Sequence, residues 1–228
     1  MDVQQFLTFG TQDALPPHAG QRILHAGAPL EHAKGVVILL HGRGASPEDI
    51  IGLATELQAP QLCFLAPAAA ESSWYPQSFL AGDSINGAHV ASAHSVIEAL
   101  FDQLGKHGLG PERCVLGGFS QGACLSLDHA FRFPRRYGLI LAYTGGLIGE
   151  PSAMFEPRGD LAGTPIDLSA GDNDPFVPWQ RVEQSARVLN AMGAAVDLVQ
   201  YTRLPHTISR TQVERTRRAL LEHLGLAP

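Results

Sequence analysis

Short, unbroken apolar runs alternate along this chain with longer segments of helical periodicity. Residues 36–40 (Val-Val-Ile-Leu-Leu) are continuously branched and apolar, the pattern of a strand covered on both faces. A turn at 42–45 leads into Ser46-Pro47-Glu48-Asp49, a helix start with serine as cap and proline in the first position. That helix is expected to reach Leu57. Residues 62–65 read as the next strand, and 67–82 as a long irregular loop. Val90, Ala93, Ile97, Leu100 and Leu104 recur near helical spacing and predict a helix over 86–107. Further strands are predicted at 114–116, 139–142, 165–169 and 196–201, and helices at 123–133, 178–192 and 209–224. Residues 147–164 read as irregular, and 22–24 as an additional antiparallel strand. Strands alternating with helices imply one α/β domain over 1–228, with a mostly parallel central sheet and helices on both faces, three layers in all.

In such a sheet, ligands bind beyond the carboxyl ends of the strands. Four loops that follow strands carry the informative residues: 41–45, 118–122, 171–178 and 203–208. Their order alone predicts that they converge on one edge. The most specific of them is Gly118-Phe119-Ser120-Gln121-Gly122, a G-x-S-x-G between a buried strand and a helix. Strand, tight turn with serine at the apex, then helix is the setting of a nucleophile elbow. The turn strains the serine backbone, and the following helix aims its N-terminus at the site.

A serine hydroxyl needs a base, and the base needs a third group to orient it. Three histidines follow Ser120. His129 lies in the helix leaving the elbow and cannot fold back. His223 falls on the last helix beside Glu222, on a solvated face. His206, between Pro205 and Thr207 after the last strand, is placed to reach the serine. For the acid, Asp172 and Asp174 both lie just past a strand. Asp174 is favoured, because Pro175 fixes the chain after it, and Asp172 suits a local turn that shapes the loop. Two backbone N–H groups are required for the oxyanion. Gln121 follows the nucleophile, and Arg43 lies in the glycine-rich turn His41-Gly42-Arg43-Gly44 after an early strand. His41 itself reads as a buried, hydrogen-bonded turn residue. Trp74, Tyr75, Phe79 and Leu80 in one loop, with Phe176, Val177 and Trp179 beside Asp174, supply apolar side chains for an acyl pocket.

Composition narrows the class. Of 228 residues, 45% are hydrophobic and 17% charged, so the chain suits a compact core. The net charge of −6, with no Lys/Arg block, points away from nucleic acid and anionic membrane surfaces. Cys63, Cys114 and Cys124 sit in apolar stretches without metal-ligand spacing, and read as buried thiols. Residues 1–5 lack a secretory pattern, and no apolar run is long enough to span a bilayer, so the expected location is the cytoplasm. An exposed apolar rim would suit either a substrate or a homodimer partner.

With this set in view, the chain resembles the phospholipase/carboxylesterase family of the α/β-hydrolase superfamily, which includes the acyl-protein thioesterases. The matching strings are Leu39-Leu40-His41-Gly42-Arg43-Gly44, Gly117-Gly118-Phe119-Ser120-Gln121-Gly122-Ala123, Gly171-Asp172-Asn173-Asp174-Pro175-Phe176-Val177-Pro178 and Pro205-His206-Thr207-Ile208. The resemblance implies an α/β-hydrolase fold, a Ser120–Asp174–His206 triad, oxyanion amides at Arg43 and Gln121, no metal and no organic cofactor. Two departures stand out. Ser73-Trp74-Tyr75-Pro76 replaces the Trp-aromatic-Asp that thioesterases of the family usually carry, and 147–164 matches no acyl-channel loop. The expectation is therefore a carboxylesterase for small to medium acyl esters. An acyl-thioesterase or lysophospholipase with the same triad is the alternative, and a non-catalytic receptor on the same fold is a third.

Overall fold

The computed structural model describes residues 11–226. Residues 1–5, read above for the lack of a secretory pattern, lie outside the described residues. Among the described residues, seven strands form one sheet: β1 (Ile23–Gly27), β2 (Val36–Leu40), β3 (Cys63–Pro67), β4 (Cys114–Phe119), β5 (Leu139–Tyr143), β6 (Pro165–Gly171) and β7 (Ala195–Tyr201). Their spatial order is β1-β3-β2-β4-β5-β6-β7. β1 runs antiparallel to β3, as the apolar run near its start suggested, and all other neighbours are parallel.

Among the described residues, six α-helices cover the sheet: α1 (Pro47–Ile51), α2 (Leu53–Leu57), α3 (Asp83–Lys106), α4 (Gln121–Arg132), α5 (Trp179–Ala191) and α6 (Arg210–His223). The continuous apolar run of β2 follows directly from this layering. Val36, Ile38 and Leu40 pack with α3, α4 and α5 through residues such as Ile97, Leu125 and Val182. Val37 and Leu39 pack with α1, α2 and α6 through Ile50, Leu57 and Leu220. Every β2 side chain is buried, and each contributes about 1.5–3 kcal/mol relative to exposure.

Some boundaries differ from the sequence expectation. The helix predicted through Leu57 is interrupted at Gly52, the weakest helix former after its opening proline. α3 starts at Asp83, before the apolar stripe begins, because a first turn needs no core-facing residue; Ile85 in it is exposed. Residues 147–164 contain no helix or strand, as expected. Their start is fastened by Arg181, which is buried and donates to the carbonyls of Leu147 (2.8 Å), Gly149 (2.9 Å) and Glu150 (2.5 Å).

Register sets the site. Leu40 lies opposite Gly118, Phe119 opposite Tyr143, and Gly171 opposite Tyr201. The carboxyl ends of these parallel strands are therefore level, and the loops after them leave from one edge.

Candidate active site

Ser120 sits at the apex between β4 and α4 with φ 55° and ψ −115°, a conformation costly for any residue with a Cβ. It is held by its N–H bonding to the Tyr143 carbonyl (3.0 Å) and by its own carbonyl accepting from Cys124 N–H (2.9 Å). The flanking glycines are required by close approach. A Cβ on Gly118 or Gly122 would collide with the Leu40 carbonyl oxygen of the neighbouring strand.

The structure brings Ser120, His206 and Asp174 together from three loops. Asp174 Oδ2 lies 2.6 Å from His206 Nδ1, and His206 Nε2 lies 2.8 Å from Ser120 Oγ. An ionised carboxylate only accepts, so Nδ1 carries the ring proton and Nε2 accepts from the serine hydroxyl. The second carboxylate oxygen of Asp174 accepts from the Phe176 and Val177 N–H groups at 2.8 and 3.0 Å. Its side chain is fully buried, whereas that of His206 is 19% exposed. The imidazole is flanked by the rings of Phe119 (4.8 Å) and Phe176 (4.9 Å).

Asp172 differs from its expected role. Its carboxylate accepts from Arg203 N–H at 2.6 Å, so it ties the Asp174 loop to the His206 loop rather than closing a turn of its own. Of the other histidines, His129 is buried against α3, with Nε2 2.9 Å from Glu98 and Nδ1 3.1 Å from His94. His223 is exposed at the end of α6.

The backbone N–H groups of Arg43 and Gln121 have no acceptor among the described residues, and Gln121 opens α4, where the first N–H groups are free by construction. His41 fixes the first of these loops. Its ring is buried, bonds the Gly42 carbonyl (2.8 Å) through Nδ1, and accepts from Ala69 N–H (3.0 Å) at Nε2. Burial lowers its pKa, which keeps that tautomer neutral.

A cavity of about 560 Å³ opens onto Ser120. Tyr75, Phe79, Phe176 and Val177 line it, as the sequence suggested. Trp74 does not: it is fully buried, its indole N–H donates to the His41 carbonyl (3.0 Å), and its ring lies tilted against that of His41 at 5.2 Å. Leu80 and Trp179 pack against the main core instead. Cys124 also lines the cavity and was missed, although it lies four residues after Ser120 and so shares its helix face. Burial pushes its thiol up to about 12, so it contributes bulk and no thiolate. The Gln121 side chain was missed as well. It accepts from Trp74 N–H (2.8 Å) and donates to the Tyr75 carbonyl (2.8 Å) and Ser73 Oγ (3.2 Å), clamping the cavity wall to the elbow.

Known proteins share this arrangement of chain. The family model for phospholipase/carboxylesterase matches residues 23–224. A crystal structure of a phospholipase/carboxylesterase from Dyadobacter fermentans has a TM-score of 0.85 and 39% identity, covering 92% of this chain and 100% of that one. Acyl-protein thioesterase 1 of Gibberella zeae is 30% identical over 133 residues, 58% of this chain and 55% of that protein. Carboxylesterase SOBER1 of Arabidopsis thaliana is 25% identical over 199 residues, 80% of this chain and 87% of that protein. With a family match that runs from β1 through α6 and a mostly parallel sheet covered on both faces, the chain belongs to the phospholipase/carboxylesterase family on the α/β-hydrolase fold.

Proposed function

We propose that this chain is a serine carboxylesterase that hydrolyses small to medium acyl esters through an acyl-enzyme intermediate. One observation carries the reading: an unbroken hydrogen-bond path from buried Asp174 through His206 to Ser120 Oγ, at the mouth of the cavity. Ser120 Oγ attacks the acyl carbonyl while His206 Nε2 takes its proton. The developing oxyanion is held by the N–H groups of Arg43 and Gln121. His206 then protonates the leaving alcohol, and Asp174 stabilises the imidazolium throughout. Water adds to the acyl-enzyme by the same route in reverse, with His206 again as base, and releases the acid. Tyr75, Phe79, Phe176 and Val177 supply the apolar wall for the acyl group.

The same machinery serves an acyl-thioesterase or lysophospholipase, and the name of the Gibberella zeae relative favours keeping the thioester reading. Hydrolysis of p-nitrophenyl esters from acetate to palmitate, by the wild type and by Ser120→Ala, separates the two. A peak at short chains that vanishes in the variant supports the carboxylesterase. A peak at palmitate transfers support to the long-chain reading, and no turnover by folded protein removes the mechanism.

A further inference from the structure

Among the described residues, the cavity above Ser120 holds one permanent charge. Its lining among them includes Arg43 and no carboxylate, because Asp174 is buried behind His206. A cation at this mouth is no general property of the chain, whose net charge is −6. The Arg43 side chain is exposed, and every contact it makes is neutral. Nη1 donates to the Pro76 carbonyl (2.6 Å) and reaches Ser73 Oγ (3.4 Å), Nη2 donates to the Gln77 carbonyl, and the Tyr75 ring lies 5.8 Å away. No carboxylate lies within 4 Å of it among the described residues.

The donor count completes the picture. A guanidinium has five N–H groups in a rigid fork. The three contacts account for both on Nη1 and one on Nη2. Nε–H and the second Nη2–H, which together form the edge that grips a carboxylate bidentately, have no partner among the described residues. The two loop carbonyls fix the fork in place without neutralising it. The backbone N–H of the same residue faces the reacting carbonyl in the mechanism above, so the charge and the chemistry are separated by one side chain.

We propose that this pocket selects esters that carry a second, ionised carboxylate, which the Arg43 guanidinium binds while Ser120 attacks the ester. This rests on the esterase reading above. A fixed cation in a partly desolvated cleft favours an anionic ligand over its neutral isostere, and the preference is screened by salt.

The test compares kcat/KM, by pH-stat, for isosteric pairs: monoethyl succinate against ethyl 4-methylpentanoate, monoethyl adipate against ethyl 6-methylheptanoate, and para-acetoxybenzoate against 4-isopropylphenyl acetate. The first two pairs put the carboxylate on the acyl side and the third puts it on the alcohol side. In at least one pair the anionic ester should lead by about tenfold or more, equivalent to ~1.4 kcal/mol. That lead should shrink as salt rises from about 50 to about 500 mM. Arg43→Met should bring the ratio to about one, Arg43→Lys should retain part of it, and Arg43→Glu should invert it. If Arg43 is only a strut for the loop at 76–77, Arg43→Met slows both members of a pair equally and the ratio stands, which overturns the proposal. A wild-type ratio at or below one in all three pairs does the same while leaving the esterase intact. Absence of any ester turnover, with no labelling of Ser120 by a fluorophosphonate, removes the esterase reading and this inference with it. Should the variants fail to fold, competitive inhibition of the wild type by succinate but not succinamide decides: equal inhibition refutes.

Discussion

Replacing Gln121 by alanine tests whether the cavity wall hangs on the elbow. The side chain is 5% exposed and makes three hydrogen bonds to the segment 73–75. Truncation strands one backbone group, the Trp74 N–H, in a residue that is itself buried, and removes one of the two donors to the Tyr75 carbonyl. Ser73 Oγ loses less, since it still donates to the Tyr75 carbonyl at 2.9 Å. A stranded group costs about 1–3 kcal/mol. The weakened bonding at the Tyr75 carbonyl and Ser73 Oγ adds to this and water entering from the adjoining cavity offsets part of it, so the expected loss is ~2 kcal/mol of stability. Gln121→Glu sharpens the test. It preserves shape and the acceptor for Trp74 N–H, but sets an oxygen against the Tyr75 carbonyl and buries a charge, so it should cost at least as much. The Gln121 backbone N–H is present in both variants. Any change in acyl-length preference therefore reports the wall rather than the oxyanion donor. Urea unfolding followed by tryptophan fluorescence gives the stability, and the ester series gives the profile. Gln121→Ala within about 0.5 kcal/mol of wild type, with an unchanged chain-length profile, would refute the clamp.

Three further outcomes are expected. Asp174→Asn should keep the fold, because the amide oxygen can still accept from Phe176 and Val177, yet lower kcat by about four orders of magnitude through the wrong imidazole tautomer, as steady-state kinetics will read. Gly122→Ala drives a Cβ into the Leu40 and His41 carbonyls and should cost ~3 kcal/mol or prevent folding, checked by thermal melting and soluble yield. Burial holds the His129 imidazole down to about 4, against a reference of 6.5, despite the opposing pull of Glu98. The unfolded chain then takes up the proton first as pH falls, so stability is lost from about pH 6.5 downward to 4; at about 1.4 kcal/mol per pH unit the loss approaches ~3 kcal/mol. Burial lowers the pKa of His18 and His41 in the same direction, so His129→Gln should flatten the slope of urea stability against pH in that window without abolishing it.

Much of this molecule was legible from local pattern. Unbroken runs such as 36–40 betray strands covered on both faces, and loops that follow parallel strands must leave from one edge whatever the exact strand order. Ser120, Asp174 and His206 are chosen by that logic before any contact is known, and they lie within hydrogen-bond distance. What escaped the sequence depends on partners far along the chain. Trp74 and Tyr75 are adjacent and equally apolar, yet one fills the core and the other faces the cavity, because the loop's path is set by the His41 carbonyl and the Gln121 side chain. Asp172 meets Arg203 across one helix and one strand, a pairing with no local signature. His129 could be set aside as a base from its place on the elbow helix, but its burial beside His94 and Glu98 comes from α3, 30-odd positions upstream.

His206 hangs from β7, and that strand is unlike the others. Among the described residues it sits at the sheet edge with one neighbour, and none of its residues is fully buried, whereas β2, β3, β5 and β6 are buried throughout. The proposed nucleophile and base therefore belong to regions of different durability: Ser120 to the centre of the sheet, His206 to its most weakly covered margin. Opening of the carboxyl-terminal strand–helix unit would silence the serine while six strands remained paired. On heating, hydrolysis should fade before the core melts, and amide exchange along β7 should track the fading. The lifetime of the working enzyme is then set by its last ~30 residues rather than by the global stability of the fold.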